Sequence, residues 1–278
     1  MIKAPVNKII SFSNVDGPGN RTSIFFQSCP FHCLYCHNPE TINYCIHCGK
    51  CVKTCPVEAL SMINGKVVWD KDKCVSCDTC IKTCPNLSSP KITYMSVDEV
   101  LQHIIKSKPF IKGITVSGGE CTNQHQFLVE LFKEVHKLGL TTFMDSNGCR
   151  LYSEMADLME VTDKVMLDVK AYDNDFHKLI TGSDNDIVLK NLNYLLENDK
   201  IYEDRTVLLN NHQQNIKTVE NVSRIIKDKC IYKLIKYRPF GVREEGLQFC
   251  GRAIVSDQQI NEMKELALAN GATNVRIV

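Results

Sequence analysis

The sequence predicts an α/β fold, an open barrel of six β-α units interrupted by a small cysteine-rich insert, and three observations support this. Short apolar or β-branched runs alternate with amphipathic helical runs along most of the 278 residues, which argues for parallel strands joined by helical crossovers. The unusual polar residues fall at the carboxyl ends of the candidate strands, where parallel sheets bind ligands. Residues 45–86 break the alternation with eight cysteines and few apolar residues, so the barrel is read as residues 1–44 and 87–278. The insert is then held by metal rather than by a core of its own.

The first strand is placed at residues 22–27, and Cys29 follows it. Beyond the insert, a helix over residues 96–107 opens on Ser96 with Glu99 three residues on, a capping box. A strand at 113–117 runs into Ser117-Gly118-Gly119-Glu120, and a helix over 124–138 stops at Gly139. Strands at 141–145 and 164–169 lead into Asp145-Ser146-Asn147-Gly148 and Asp168-Val169-Lys170, with helices expected over 153–160 and 186–198. The last units comprise a strand at 205–209, a helix at 215–227, a strand at 232–237 ending in Tyr237-Arg238, a helix at 256–270 and a strand at 274–278. Six units suit an open barrel better than the closed eight.

A formal net charge of +1 gives no argument for nucleic acid or an anionic membrane as partner. The start MIKAPVNKIISF carries no long apolar run with a small-residue cleavage site, and no stretch reaches roughly 18 apolar residues. The expectation is a cytoplasmic monomer whose thiols stay reduced, without disulfides.

Cys29, Cys33 and Cys36 stand as C-x3-C-x2-C. Three thiolates leave one corner of a four-iron cluster without a protein ligand, open to a substrate. A zinc or structural cysteine site is the alternative, and it fits less well because zinc sites usually take four protein ligands from paired knuckles. With Tyr35 before the last cysteine, the triplet resembles that of the radical S-adenosylmethionine enzymes, in which the amino and carboxylate groups of S-adenosylmethionine take the fourth site. Two further runs, Cys45, Cys48, Cys51, Cys55 and Cys74, Cys77, Cys80, Cys84, each read C-x2-C-x2-C-x3-C-P. They resemble the bacterial two-cluster ferredoxins, where the fourth cysteine of each run ligates the other cluster. That resemblance implies Cys45, Cys48, Cys51 and Cys84 on one cluster and Cys55, Cys74, Cys77 and Cys80 on its neighbour. A zinc ribbon or metallothionein-like site lacks the third close cysteine and the Cys-Pro end. The remaining cysteines, Cys121, Cys149, Cys230 and Cys250, share no spacing and read as small buried side chains.

Among the residues at the strand ends, Gly118 and Gly119 permit close backbone approach and leave main-chain groups free to hold an ammonium, with Glu120 completing the Gly-Gly-Glu turn. Asp145 and Asp168 offer carboxylates on adjacent strands for a ribose hydroxyl, a sulfonium charge or a cation. Lys170, two residues past Asp168 on the same face, and Arg205 or Arg238 suit a substrate carboxylate. For each of these charges the competing reading is a solvated surface group, most of all for Arg205, placed near the start of its strand.

The runs VDGPGNRTSIFFQSC, YCHNPETI, TVSGGE, MDSNG and MLDVK, with the twin-run insert and the C-terminal module, resemble the glycyl-radical-enzyme activases, the family of pyruvate formate-lyase-activating enzyme. The insert length and the stretch MSVDEVLQHI…PFIKGITVSGGE are most similar to the YjjW-type members, over essentially the whole chain. The resemblance implies a partial (β/α)6 radical SAM barrel with a ferredoxin-like insert and three 4Fe-4S clusters. It implies reductive cleavage of S-adenosyl-L-methionine to a 5'-deoxyadenosyl radical that takes hydrogen from a backbone glycine of a partner glycyl-radical enzyme. A flavodoxin or ferredoxin-type electron donor follows. By the same similarity Tyr35, His37, Gly119, Asp145, Asp168, Val169 and Lys170 line the S-adenosylmethionine site, with Asp145 also at a monovalent cation. No side chain need act as catalytic acid or base, since the cofactors perform the difficult chemistry. The chain departs from the family at Leu209-Asn210-Asn211, where Val-Pro-Gly is common, and at Arg238, where pyruvate formate-lyase-activating enzyme has histidine. Two rival readings remain: a radical enzyme acting on a small molecule, and a ferredoxin-like electron carrier whose barrel docks a redox partner.

Overall fold

The computed structural model describes residues 2–278 and is built on one nine-stranded sheet. Its strands are β1 (Lys3–Ser13), β2 (Arg21–Phe26), β5 (Thr93–Ser96), β6 (Gly113–Gly118), β7 (Thr141–Ser146), β8 (Lys164–Asp168), β9 (Ile201–Leu208), β10 (Ile231–Lys236) and β11 (Val275–Ile277). The insert contributes a separate hairpin, β3 (Leu60–Ile63) with β4 (Lys66–Trp69). The sheet order is β11-β10-β9-β8-β7-β6-β2-β1-β5. From β2 through β6 to β11 every pairing is parallel, whereas β1 runs antiparallel to both β2 and β5.

Nine helices occur among the described residues: α1 (Thr79–Thr83), α2 (Val97–Ser107), α3 (His125–Lys137), α4 (Ala156–Glu160), α5 (Asn174–Thr181), α6 (Asp186–Glu197), α7 (His212–Ile226), α8 (Glu244–Cys250) and α9 (Asp257–Ala269). Helix α2 starts on the Ser96–Glu99 capping box, with both reciprocal hydrogen bonds made. One continuous apolar core joins the sheet to its helices: Ile114, Val116, Met144 and Val165 are fully buried, with Leu128, Leu131 and Phe132 of α3 against them. None of the helices is long and apolar enough to cross a membrane.

The structure departs from the sequence expectation at several elements, α5 and α8 among them, which the sequence reading does not place. Strand β1 and the short β5 extend the sheet on one edge, because Pro5, Asn7 and Lys8 break the apolar alternation of β1 and only its pairing with β2 and β5 makes it a strand. Strand β9 begins at Ile201, so Arg205 lies mid-strand instead of at its start. In the Leu209-Asn210-Asn211 segment, Asn211 at φ −130° caps α7 through its side chain, while the Asn210 amide donates to Cys250 O (2.8 Å). The insert has a small core after all, of Cys51, Leu60, Val67 and Cys80, half of it thiols. Its neck is closed by Asn43 N donating to Leu87 O (3.1 Å) and Asn86 Nδ2 donating to Tyr44 O (2.8 Å).

Candidate active site

A cavity opens at the carboxyl ends of β2 and β6–β10. Cys29, Cys33 and Cys36, on the loop after β2, share its wall with Tyr35 and His37, with Gly118 and Gly119, with Asp145, with Asp168 and Lys170, and with Arg205. Residues distant in sequence therefore face one space. The two glycines are required by backbone contact. At φ +117°, a Cβ on Gly118 would stand 2.2 Å from Phe26 N, and one on Gly119 would stand 2.3 Å from Ser28 O.

Three candidates are not on that wall. Glu120 is buried beneath it, accepting from Thr122 Oγ1 (2.7 Å), Ser146 Oγ (2.8 Å) and Asn147 N (2.9 Å), so it ties the β6 loop to the β7 loop. Val169 is fully buried and its carbonyl accepts from Thr206 Oγ1 (2.9 Å), since the residue between two inward-facing neighbours must point outward. Arg238 is exposed, and only its carbonyl reaches the site, accepting from His37 Nε2 (2.9 Å).

Two ion pairs divide the polar wall. Lys170 Nζ lies 2.9 Å from Asp168 Oδ2 and 5.8 Å from the centre of the Tyr35 ring. Burial works to lower the Lys170 ammonium, but Asp168, Tyr35 and Cys33 outweigh it and hold it well above its ordinary range. Arg205 Nη1 lies 2.9 Å from Asp145 Oδ1 and Arg205 Nε 2.6 Å from Glu203 Oε1, which also meets Lys233 Nζ at 2.7 Å. With Nη2 against Met166 Sδ (2.9 Å), the fork expected to meet a substrate carboxylate is committed to protein partners. Burial raises Asp145 to about 6 against the pull of Arg205, and Asp168 and Asp16 add to the rise.

The cluster loop is strapped down by a segment more than 200 residues away. Arg243 Nη2 donates to His32 O and Cys33 O, both at 3.3 Å. Gly246 of α8 packs on the Leu34 carbonyl so closely that a Cβ there would stand 1.8 Å from the oxygen. Asn147 Nδ2 lies 3.4 Å from Cys29 Sγ, a hydrogen bond to a sulfur of the triplet.

The donor set suits a cluster. Three thiols face a cavity open to a fourth ligand, and burial first, then Cys33, pushes the Cys36 thiol up to about 11, so iron is what would hold it as thiolate. In the insert, Cys45, Cys48, Cys51 and Cys84 line one small cavity, and Cys55, Cys74, Cys77 and Cys80 line another. The thiols surround these spaces, and no three His, Cys, Asp or Glu side chains among the described residues are grouped to hold a single metal ion. Of the other cysteines, Cys121, Cys230 and Cys250 are buried and Cys149 is half-buried.

Ser117, Ser146 and Asn147 of the strand-end runs also line the cavity, as do Phe31, Asn38, Val207 and Ile235, which the sequence did not single out. Val207 was within reach, since it shares the inward face of β9 with Arg205. Arg243 and Glu203 carried no local signal, because their partners lie elsewhere in the chain.

Residues 23–222 match the family model of the radical SAM superfamily. A protein of Haemophilus influenzae assigned as a glycyl-radical enzyme activating enzyme is 31% identical, over 88% of this chain and 86% of its own. The choline trimethylamine-lyase activating enzyme of Oleidesulfovibrio alaskensis is 29% identical, covering 86% and 85%, and the pyruvate formate-lyase-activating enzyme of Clostridium pasteurianum 27%, covering 88% and 86%. Among solved structures, QueE of Escherichia coli superposes with a TM-score of 0.52 at 12% identity, over 99% of this chain and 94% of that one, a likeness of fold.

Proposed function

The chain belongs to the radical SAM superfamily and, within it, to the glycyl-radical-enzyme activating enzymes, and on that premise we propose the working parts of its site. The observation that carries the reading is the cysteine triplet on the wall of a cavity that also presents Asp145, Asp168 and Lys170. Cys29, Cys33 and Cys36 would hold a 4Fe-4S cluster whose fourth position takes S-adenosylmethionine. Bound together, these groups supply the one-electron cleavage and the hydrogen abstraction from a backbone glycine of the partner glycyl-radical enzyme. Gly118 and Gly119 bring main-chain groups to the ammonium of the methionine moiety. Lys170, held by Asp168, faces its carboxylate; Asp145 serves the ribose, the sulfonium charge or a monovalent cation. His37, pinned to the Arg238 carbonyl, and Tyr35, beneath Lys170, complete the wall. The residues thus orient the reactants, and no acid or base is needed.

The insert would hold two more clusters, one on Cys45, Cys48, Cys51 and Cys84 and one on Cys55, Cys74, Cys77 and Cys80, supported by the way these thiols line two separate cavities. They would relay electrons from a flavodoxin or ferredoxin-type donor, in a cytoplasmic protein acting as a monomer. The relatives are named for different partners, so this chain's partner is defined here only by its chemistry.

The test is anaerobic electron paramagnetic resonance on the iron-loaded, reduced protein with S-adenosylmethionine and the glycyl-radical enzyme encoded nearest to it, with 5'-deoxyadenosine assayed alongside. A glycyl doublet with stoichiometric 5'-deoxyadenosine is expected. Deoxyadenosine without the doublet would point to another partner or to a small molecule, and neither signal would favour an electron carrier. A pH dependence follows from Asp145. Its carboxylate is protonated as pH falls through about 6, so affinity for S-adenosylmethionine drops below that value and is full above it. Asp145→Asn should remove this dependence; an equal slope in both proteins, read by equilibrium dialysis, would take Asp145 out of the site.

A further inference from the structure

A shallow groove lies along the β1/β5 edge of the sheet, between β1, β5 and the insert hairpin. Lys8, Lys71, Lys91 and His103 line it, and no carboxylate does among the described residues. Lys8 and Lys71 are exposed; Lys91 is paired from outside the groove by Asp78 at 2.7 Å. Trp69 belongs to two walls at once. It lines the groove, where Lys71 Nζ sits 5.5 Å from its ring centre, and it lines the cavity of Cys55, Cys74, Cys77 and Cys80. Its indole nitrogen is buried without a strict hydrogen-bond partner and lies beside the Cys74 sulfur.

From that cavity the thiols lead inward. Cys80 and Cys51 both belong to the insert's small core, and Cys51 belongs to the second cavity with Cys45. Cys45 is three residues from Ile42, whose carbonyl accepts from Cys29 N at 3.0 Å, so chain geometry keeps the Cα atoms of Cys45 and Cys29 within roughly 18 Å. The groove shares no lining residue with the catalytic cavity.

We propose that this groove is the docking surface for an acidic one-electron carrier protein, with Lys8 and Lys71 steering it and Trp69 joining it to the Cys55/Cys74/Cys77/Cys80 site. This rests on the reading of the insert as a two-cluster unit. One electron leaves the reduced carrier and reduces the outer site, and no proton or group moves with it. The outer site would pass the electron across the insert's small core, which holds both Cys80 and Cys51, to the Cys45 site and on to the triplet. Because the groove runs along the sheet edge while the catalytic cavity opens at the strand ends, carrier and glycyl-radical partner bind at the same time.

The test uses the iron-loaded full chain and a reduced acidic flavodoxin in stopped flow, following cluster absorbance. For Lys8→Glu/Lys71→Glu the bimolecular rate at low salt should fall at least ~10-fold and converge on the unsubstituted protein's rate at high salt. Reduction by dithionite should be unchanged, and iron should stay at about 12 per chain. An excess of the glycyl-radical partner should not slow the carrier. An unchanged carrier rate, or competition by the partner, overturns the proposed surface while leaving the cluster reading intact. Iron of only about 4 in the unsubstituted protein overturns the two-cluster reading itself, and the proposal with it.

Discussion

Replacing Gly246 by alanine is expected to release the cluster loop and abolish glycyl-radical formation. The new Cβ would stand 1.8 Å from Leu34 O and 2.7 Å from Leu34 C, both backbone atoms that no rotamer change can move. Helix α8 must therefore lift, and with it go the Arg243 bonds to His32 O and Cys33 O. Overpacking of this kind costs about 3 kcal/mol, which for a chain of this size lowers Tm by roughly 6–12 °C. Calorimetry of the iron-free protein should show that loss, and iron after reconstitution should fall from about 12 to about 8 per chain as the triplet site fails while the insert sites persist. An unaltered Tm together with full iron would mean that the strap has no part in holding the loop.

Arg205→Met should cost at least as much stability, for an electrostatic reason. Arg205 is the guanidinium between Asp145 and Glu203, with Glu203 almost wholly buried. Glu203 keeps Lys233, but Asp145 loses its counter-charge within a buried wall. Leaving one member of such a pair alone costs about 3–5 kcal/mol, or roughly 6–20 °C in Tm. The second substitution discriminates. Removing both charges in Arg205→Met/Asp145→Asn should restore part of the loss, since replacing both partners is far less costly than orphaning one. A double variant no more stable than Arg205→Met would show that the guanidinium acts through packing on Met166 and not through Asp145.

These two residues also mark where sequence reasoning reached its end. Arg205 was visible as a charge in a strand, but its role depends on a register that pairs Asp168 with Arg205 and brings Asp145 alongside. Nothing local in the sequence tied Gly246 and Arg243 to the cluster loop, because their partners, Leu34, His32 and Cys33, are more than 200 residues earlier. Glu120 shares its turn with Gly118 and Gly119, yet its side chain lies beneath the wall, because one step along an extended chain turns a side chain to the opposite face. Val169, between Asp168 and Lys170, is likewise absent from the cavity lining.

The local rules were legible. Apolar runs of strand length bounded by turn residues located the seven parallel strands from β2 to β11, the Ser96–Glu99 spacing located the start of α2, and thiol spacing located the two cysteine runs, whose crossed grouping came only from the resemblance to the two-cluster ferredoxins. All three depend on periodicity or on short chain reach, which sequence determines by itself. The edge strand β1, the inward or outward aim of Glu120, Val169 and Arg238, the Asp145–Arg205–Glu203 grouping and the strap on the cluster loop were decided only by tertiary structure. Each arises when segments far apart in the chain are packed together, and no local spacing encodes which atoms will then meet.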